Sequence, residues 1–411
     1  MAASRMYLAP ALFAALISVQ GCGGGGGGGP ATPVAATPGT NAIAAAGLNV
    51  QPISVDAGPF NNVNQVFTNL TLCAPGSGVN CVSIDHVLVD TGSTGLRIMY
   101  SAAVASLALP QQTAANGNPV VECAHFADGN SWGPVKLADL KIAGEQASGL
   151  PIQVIGDPGF ATVPGACAST GPAKNTPQSF GANGILGVGI FRQDCGNACA
   201  RSGAPGIYYT CPASGCLAAA IPLNLQLQHP VSLFTTDNNG VIIELPPVPA
   251  AGAVNVNGSL VFGIDTRANN ALGTATVIGV DPATANFTTV YNGIAYSASF
   301  IDSGSNALFF ADAGVALCTN AATAGFYCPP SIRNLSATFQ GRNGASAQID
   351  FSVANAALLL AGNPGFAAFA NLAAPQLSAD SFDWGLPFFF GRNVYTAIEG
   401  PSAPAGPYIA F

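Results

Sequence analysis

Asp90-Thr91-Gly92-Ser93, entered through the apolar run Val87-Leu88-Val89, has a second copy in the same chain. That copy is Asp302-Ser303-Gly304-Ser305, entered through Phe300-Ile301 and lying 212 positions later. Each copy ends a strand-like run on an aspartate, followed by a hydroxyl residue, a glycine and another hydroxyl residue. A single Asp-Thr-Gly after a strand is ordinarily a plain turn. Two in matching context, far enough apart to occupy separate lobes, point to a paired site. Two carboxyls within hydrogen-bond reach cannot both ionise cheaply, so one stays protonated while the other stays charged. The charged one can draw a proton from water, and the protonated one can donate to a carbonyl oxygen. Glycine lets the backbone approach the carboxylate closely, and the hydroxyls can fix its orientation.

The surrounding chain reads as all-β. It has 411 residues, 49% hydrophobic and only 7% charged, with 50 Gly and 31 Pro. That length exceeds one ordinary core and predicts two domains or lobes. Short Val/Ile/Leu/Phe runs broken by Gly and Pro favour strands. Residues 353–361 are one of few helical candidates. The net charge is −8, and no basic patch is present to neutralise phosphates, so nucleic acid is not an expected partner.

Residues 1–21 read as an export signal, with Arg5 ahead of an apolar run from Leu8 to Val19 that is short for a membrane span. The ending Val19-Gln20-Gly21-Cys22 is similar to a bacterial lipoprotein signal. That resemblance implies an acyl anchor on Cys22 inserted in a lipid bilayer of the cell envelope. Gly23, in place of an aspartate, implies the outer membrane. The alternative is a soluble secreted chain cut near Gly21. Residues 22–50, with a glycine run from Gly23 to Gly29, read as a flexible tether.

Setting Cys22 aside leaves ten cysteines, an even number suited to an oxidising compartment. Cys73 and Cys81 bracket a Pro-Gly-Ser-Gly loop and are expected to pair, as are Cys318 and Cys328. Cys195, Cys199, Cys211 and Cys216 read as a stapled insertion, nested pairing being one arrangement. Cys123 and Cys167 are then left for each other. The spacings are too irregular for a zinc site, and no metal or other cofactor is expected.

The two Asp motifs resemble those of pepsin-like aspartic peptidases, and the resemblance runs over roughly residues 60 to 411. His125-Phe126-Ala127-Asp128-Gly129-Asn130-Ser131-Trp132-Gly133 is similar to the family's flap, with Gly129 and Gly133 on its later glycines and Phe126 at its tyrosine. Asn183-Gly184-Ile185-Leu186-Gly187-Val188-Gly189 resembles the strand that buttresses the first catalytic loop. Gly258-Ser259-Leu260-Val261-Phe262-Gly263 resembles the strand opening the second lobe. Trp384-Gly385-Leu386-Pro387-Phe388-Phe389-Phe390-Gly391-Arg392 resembles the second buttress.

The resemblance implies a bilobal fold, an N-terminal lobe over residues 51–252 and a C-terminal lobe over 253–411, split near the Pro-rich stretch 246–251. It implies Asp90 and Asp302 as catalytic residues activating water, with no cofactor. Thr91 and Ser303 would cross-brace the loops, Ser93 and Ser305 would bond the outer carboxylate oxygens, and Gly92 and Gly304 would complete the turns. The expected partner is a peptide or protein substrate, and the expected state a monomer.

Two departures from the family pattern stand out. Phe126 lacks the flap hydroxyl, and Arg97 stands where the first motif usually continues to tryptophan. The expectation from Arg97 is a positive charge near the cleft that lowers the pKa of the pair or favours an acidic substrate. A reading from a different class is an inactive envelope protein binding peptides or glycans between the lobes. A serine hydrolase would need a Gly-x-Ser-x-Gly elbow on a strand-to-helix turn, and none is read here. Nucleotide binding lacks a Gly-rich loop followed by Lys.

Overall fold

The two Asp motifs end strands in two separate sheets. The structure, a computed structural model, describes residues 42–376, 378–400 and 407–411. The export signal, Cys22 and most of the expected tether therefore lie outside the described residues.

The first sheet contains a closed barrel of six strands: Val66–Cys73, Cys81–Asp90, Gly184–Val188, Thr94–Met99, Glu145–Ile155 and Gly129–Ile142. It closes because Gly129–Ile142 also pairs with Val66–Cys73, with Thr71 opposite Lys141. The strands nearest the first motif are buried on both faces, which is why Gly184–Val188 reads as an unbroken apolar run. The second sheet has seven strands, centred on Ile294–Asp302 and Asp383–Gly385. Here alternation returns: Phe287, Thr289 and Tyr291 are buried while Thr288 and Val290 are half-exposed.

A ribbon of antiparallel strands continues the first sheet. Val50–Val55 pairs with Val256–Phe262, which pairs with Gly240–Leu245, which pairs with Arg392–Ala397. The Pro-rich stretch 246–251 connects two strands of this ribbon, Gly240–Leu245 and Val256–Phe262. The last part of the expected tether is docked on it. Ala44 N–H donates to Glu244 Oε2 (2.6 Å), and Asn49 Nδ2 donates to the Phe262 carbonyl (3.0 Å).

The helical candidate at 353–361 is displaced by three residues. Val353 ends the strand Ser346–Val353, and the helix is Ala356–Gly362. Asn355 sets its start by accepting from Leu358 N–H (3.1 Å), a cap that Val353 cannot supply.

All ten cysteines considered above pair: Cys73–Cys81, Cys123–Cys167, Cys195–Cys199, Cys211–Cys216 and Cys318–Cys328. The four-cysteine insertion is stapled side by side and not nested. Five disulfides fit an exported protein in an oxidising environment. No helix among the described residues is long and apolar enough to cross a membrane.

Candidate active site

Each Asp motif is held by the same strand exchange. Asp90, ending its strand, lies parallel to and opposite Gly187, and the chain then turns so that Gly95 runs antiparallel to the same Gly187. In the second sheet Asp302 lies opposite Gly385, and Leu308–Phe309 returns antiparallel to the strand that Gly385 ends. Two apolar arms thus clamp each aspartate at the end of a buttress. A Cβ on Gly385 would lie 2.1 Å from the Ala307 carbonyl oxygen, so only glycine lets the arms meet.

The two carboxyls face each other across the two loops. Gly92 N–H donates to Asp90 Oδ1 (2.9 Å) and Ser93 Oγ to Asp90 Oδ2 (2.6 Å). Gly304 N–H donates to Asp302 Oδ1 (2.8 Å) and Ser305 Oγ to Asp302 Oδ2 (2.8 Å). The loops are cross-braced: Thr91 N–H donates to Ser303 Oγ (3.0 Å), and Ser303 N–H donates to Thr91 Oγ1 (3.0 Å). Ser303 Oγ in turn donates to the Val89 carbonyl (2.8 Å). All eight residues of the two motifs therefore come together.

Each glycine sits against the opposite aspartate. A Cβ on Gly92 would lie 2.7 Å from the Asp302 carboxyl, and one on Gly304 would lie 2.6 Å from Asp90 Oδ1. Gly304→Ala is therefore expected to push the carboxyls apart and to cost about 1–3 kcal/mol by overpacking. Thermal unfolding of the variant checks this.

Both aspartates are buried. Burial pushes the Asp302 carboxyl well above the usual carboxylate range, and the charge of Asp90 and then Asp383 adds to it.

The expected flap is a hairpin of Val120–Phe126 and Gly129–Ile142, with Phe126 opposite Gly129 and Ala127-Asp128 at the tip. Phe126 is buried with Leu88 and Ile185 and packs edge-on against Phe180, 5.6 Å between ring centres. The hairpin is pinned along its outer side. Cys123 is bonded to Cys167, and Asp128 pairs with Lys174 at 2.8 Å. Asn130 Nδ2 donates to the Gly171 carbonyl (2.8 Å), and Trp132 Nε1 to the Phe160 carbonyl (2.8 Å). Gly129 and Gly133 answer this crowding: a Cβ would meet the Pro172 carbonyl oxygen at 2.2 Å and the Val154 carbonyl oxygen at 2.0 Å respectively. The Cys123–Cys167 bond closes a 44-residue separation, worth about 4 kcal/mol of chain entropy in the loop-closure account. It is the strongest of the staples on this count.

Arg97 corrects an expectation. It is fully buried and spends its charge inside the molecule. Its Nη2 lies 2.5 Å from Glu122 Oε1 and 3.2 Å from Asp194 Oδ2, and its Nη1 donates to the Thr94 carbonyl (2.9 Å). Tyr208 Oη donates to Asp194 Oδ1 (2.6 Å). Burial and the nearby Glu122 charge push Asp194 well up, against Arg97 pulling it down. Three acceptors surround the guanidinium, so no surplus positive charge reaches the paired aspartates. The four-cysteine insertion supplies this cluster: Asp194 precedes Cys195, and Tyr208 lies between its two staples.

Sequence reasoning missed Glu122, Asp194 and Asp383. Glu122 and Asp194 become meaningful only once the fold brings them to Arg97. Asp383 carries a sequence signal, a carboxyl two residues before the buttress glycine, where the first copy has Ile185.

Known proteins bear on this arrangement in two ways. No curated protein sequence matches the chain. Among solved structures, the crystal structure of aspartic proteinase from Irpex lacteus superposes with a TM-score of 0.50 at 13% identity, covering 88% of this chain and 96% of that one. At that identity the likeness establishes the fold, all-β and pepsin-like. In sequence, a family model described as "Protein of unknown function (DUF3443)" matches residues 45–411. The chain, pepsin-like in fold, belongs to the DUF3443 family.

Proposed function

We propose that the paired aspartates form a hydrolytic site and that the protein is an exported aspartic endopeptidase. The observation that carries this reading is the reciprocal seating of each motif's glycine against the other motif's carboxyl, inside a shell of four hydroxyls. A structural turn has no use for two desolvated carboxyls brought face to face at an electrostatic cost. With Asp302 holding the shared proton, Asp90 takes a proton from a water as its oxygen attacks the peptide carbonyl. Asp302 donates to the carbonyl oxygen, giving a neutral gem-diol. Returning a proton to the amide nitrogen then releases the amine and the carboxylic acid. Cleavage of peptides at acidic pH, blocked by a statine-type inhibitor, tests the reading.

The second reading is a pepsin-like protein that binds peptides or glycans without cutting them. What favours it is the hairpin, which lacks a tyrosine and is pinned by Cys123–Cys167 and Asp128–Lys174. The hydroxyl shell around the carboxyls favours the enzyme, because a binder gains nothing from it.

We propose separately, from the Val19-Gln20-Gly21-Cys22 ending and Gly23, that the chain is a lipoprotein acylated at Cys22 and held at the outer membrane. Cells labelled with a radioactive fatty acid are expected to label the wild-type protein and to leave Cys22→Ala unlabelled. An unlabelled, freely secreted wild type contradicts the anchor.

A further inference from the structure

Asp383 fills a place that the first half of the molecule gives to Ile185. Both residues lie two positions before the buttress glycine: Leu88 pairs with Ile185, and Phe300 pairs with Asp383. Ile185 packs in an apolar cluster beneath the hairpin. Asp383 is just as buried but carries a carboxyl. Its neighbours Phe382 and Trp384 stack at 4.2 Å in the aromatic core of the second sheet, so strand alternation turns Asp383 the other way, to the Asp302 motif.

The contacts there require counting protons. Ser305 Oγ lies 2.8 Å from Asp302 Oδ2 and 2.7 Å from Asp383 Oδ2. A serine hydroxyl has one hydrogen and can donate to only one of them. The other contact is a hydrogen bond only if a carboxyl supplies the hydrogen. The proton that Asp302 shares with Asp90 lies on the inner side of the pair, which leaves its outer oxygen, Oδ2, as an acceptor. Asp383 Oδ1 is buried with no partner. As part of an ionised group that oxygen would be charged and unsatisfied, whereas in a protonated acid it is a neutral carbonyl oxygen and costs far less. The order is therefore Asp383 Oδ2–H to Ser305 Oγ, and Ser305 Oγ–H to Asp302 Oδ2.

We propose that Asp383 is a positioning residue that stays protonated to lock the Ser305 hydroxyl onto Asp302, and that its ionisation releases the lock. Its effect on activity rests on the peptidase reading above. The titratable groups facing it are Asp302 and Asp90. Among the described residues, the adjoining strands Leu308–Phe309 and Ala373–Ala374 bring only apolar side chains. Burial holds the Asp383 carboxyl well above the usual range, with Ser305 opposing and the Asp90 charge adding. When Asp383 loses its proton to solvent, it draws the Ser305 hydrogen to itself. Asp302 then loses its outer donor, and a negative charge appears beside a pair that works with one. Asp383 thereby sets the alkaline edge of activity.

Asp383→Asn and Asp383→Leu test this with two readouts. The first is the number of protons released on unfolding, taken from the pH dependence of stability, and it needs no activity. The unfolded acid titrates near 3.9 and the folded one higher, so from about pH 4 up to the folded pKa unfolding releases its proton and stability falls as pH rises. Asp383→Asn and Asp383→Leu are each expected to release one proton fewer in that window; an unchanged count overturns the proposal.

The second readout is the pH profile of cleavage. Asparagine still donates to Ser305 but cannot ionise, so its alkaline limb should move up by about one pH unit or more. Leucine cannot donate, and its acid-side rate should fall about tenfold, the worth of one good hydrogen bond. A changed proton count with an unmoved limb in Asp383→Asn also overturns the lock. If the wild type cleaves nothing, the peptidase reading fails, and the proton count alone then decides whether Asp383 is protonated.

Discussion

Asp90→Asn and Asp302→Asn should each abolish peptide cleavage without unfolding the protein. The loss expected from removing one acid–base partner is about 10²–10⁴-fold, and it should be near the upper end because each carboxyl does both halves of the proton transfer. The stability effect runs the other way. Asp302 has a raised folded pKa, so its contribution is fully present below the unfolded pKa near 3.9 and is lost as pH rises through the folded value. Asp302→Asn cannot ionise and escapes that loss, so above about pH 4 it should be as stable as the wild type or more so. Urea unfolding at acidic and neutral pH measures this beside the activity assay. A variant that loses activity because it loses its fold would mean that the motifs are structural.

Arg97→Met should give the largest loss of stability, about 3–5 kcal/mol, because Glu122 and Asp194 are left buried without their cation. The loss should shrink in acid, where Asp194, whose carboxyl burial already pushes up, takes up its proton. Arg97→Lys should recover only part of it. An ammonium on a single stem cannot reach Glu122, Asp194 and the Thr94 carbonyl together as the guanidinium does. The triple change Arg97→Met, Glu122→Leu, Asp194→Asn should recover more than either, since it removes every uncompensated charge. Denaturant midpoints, with the disulfides intact in each variant, check the series. A stable Arg97→Met beside a damaged triple variant would show that the cluster is held by packing and not by charge.

What the sequence made legible follows from which interactions are local. The two motifs, the glycines of the hairpin and the short disulfide loops are each contained within a few residues, and their chemistry can be read in place. Cys123–Cys167 was reachable because the other cysteines fell into neighbouring pairs. Arg97 was not legible. Its position along the motif gave it a place near the cleft, but its partners come from 25 and 97 residues away, and burial alone reversed the meaning of its charge. The helix after Val353 was misplaced for a local reason, since its apolar residues serve first a strand and then a helix, with Asn355 deciding the border. Asp383 was visible as a carboxyl in an apolar run. Its role needed the coordinates, because Ser305 lies 78 residues before it.

The central claim is that the two aspartates hydrolyse peptides, and the most direct measurement is cleavage of a diverse peptide pool by the wild-type protein, scanned from acidic to neutral pH. The account predicts cleavage in acid, a bell-shaped pH profile, and inhibition by a statine-type compound. No cleavage at any pH, from folded protein with its five disulfides formed, would contradict it and leave a pepsin-like protein that binds without cutting.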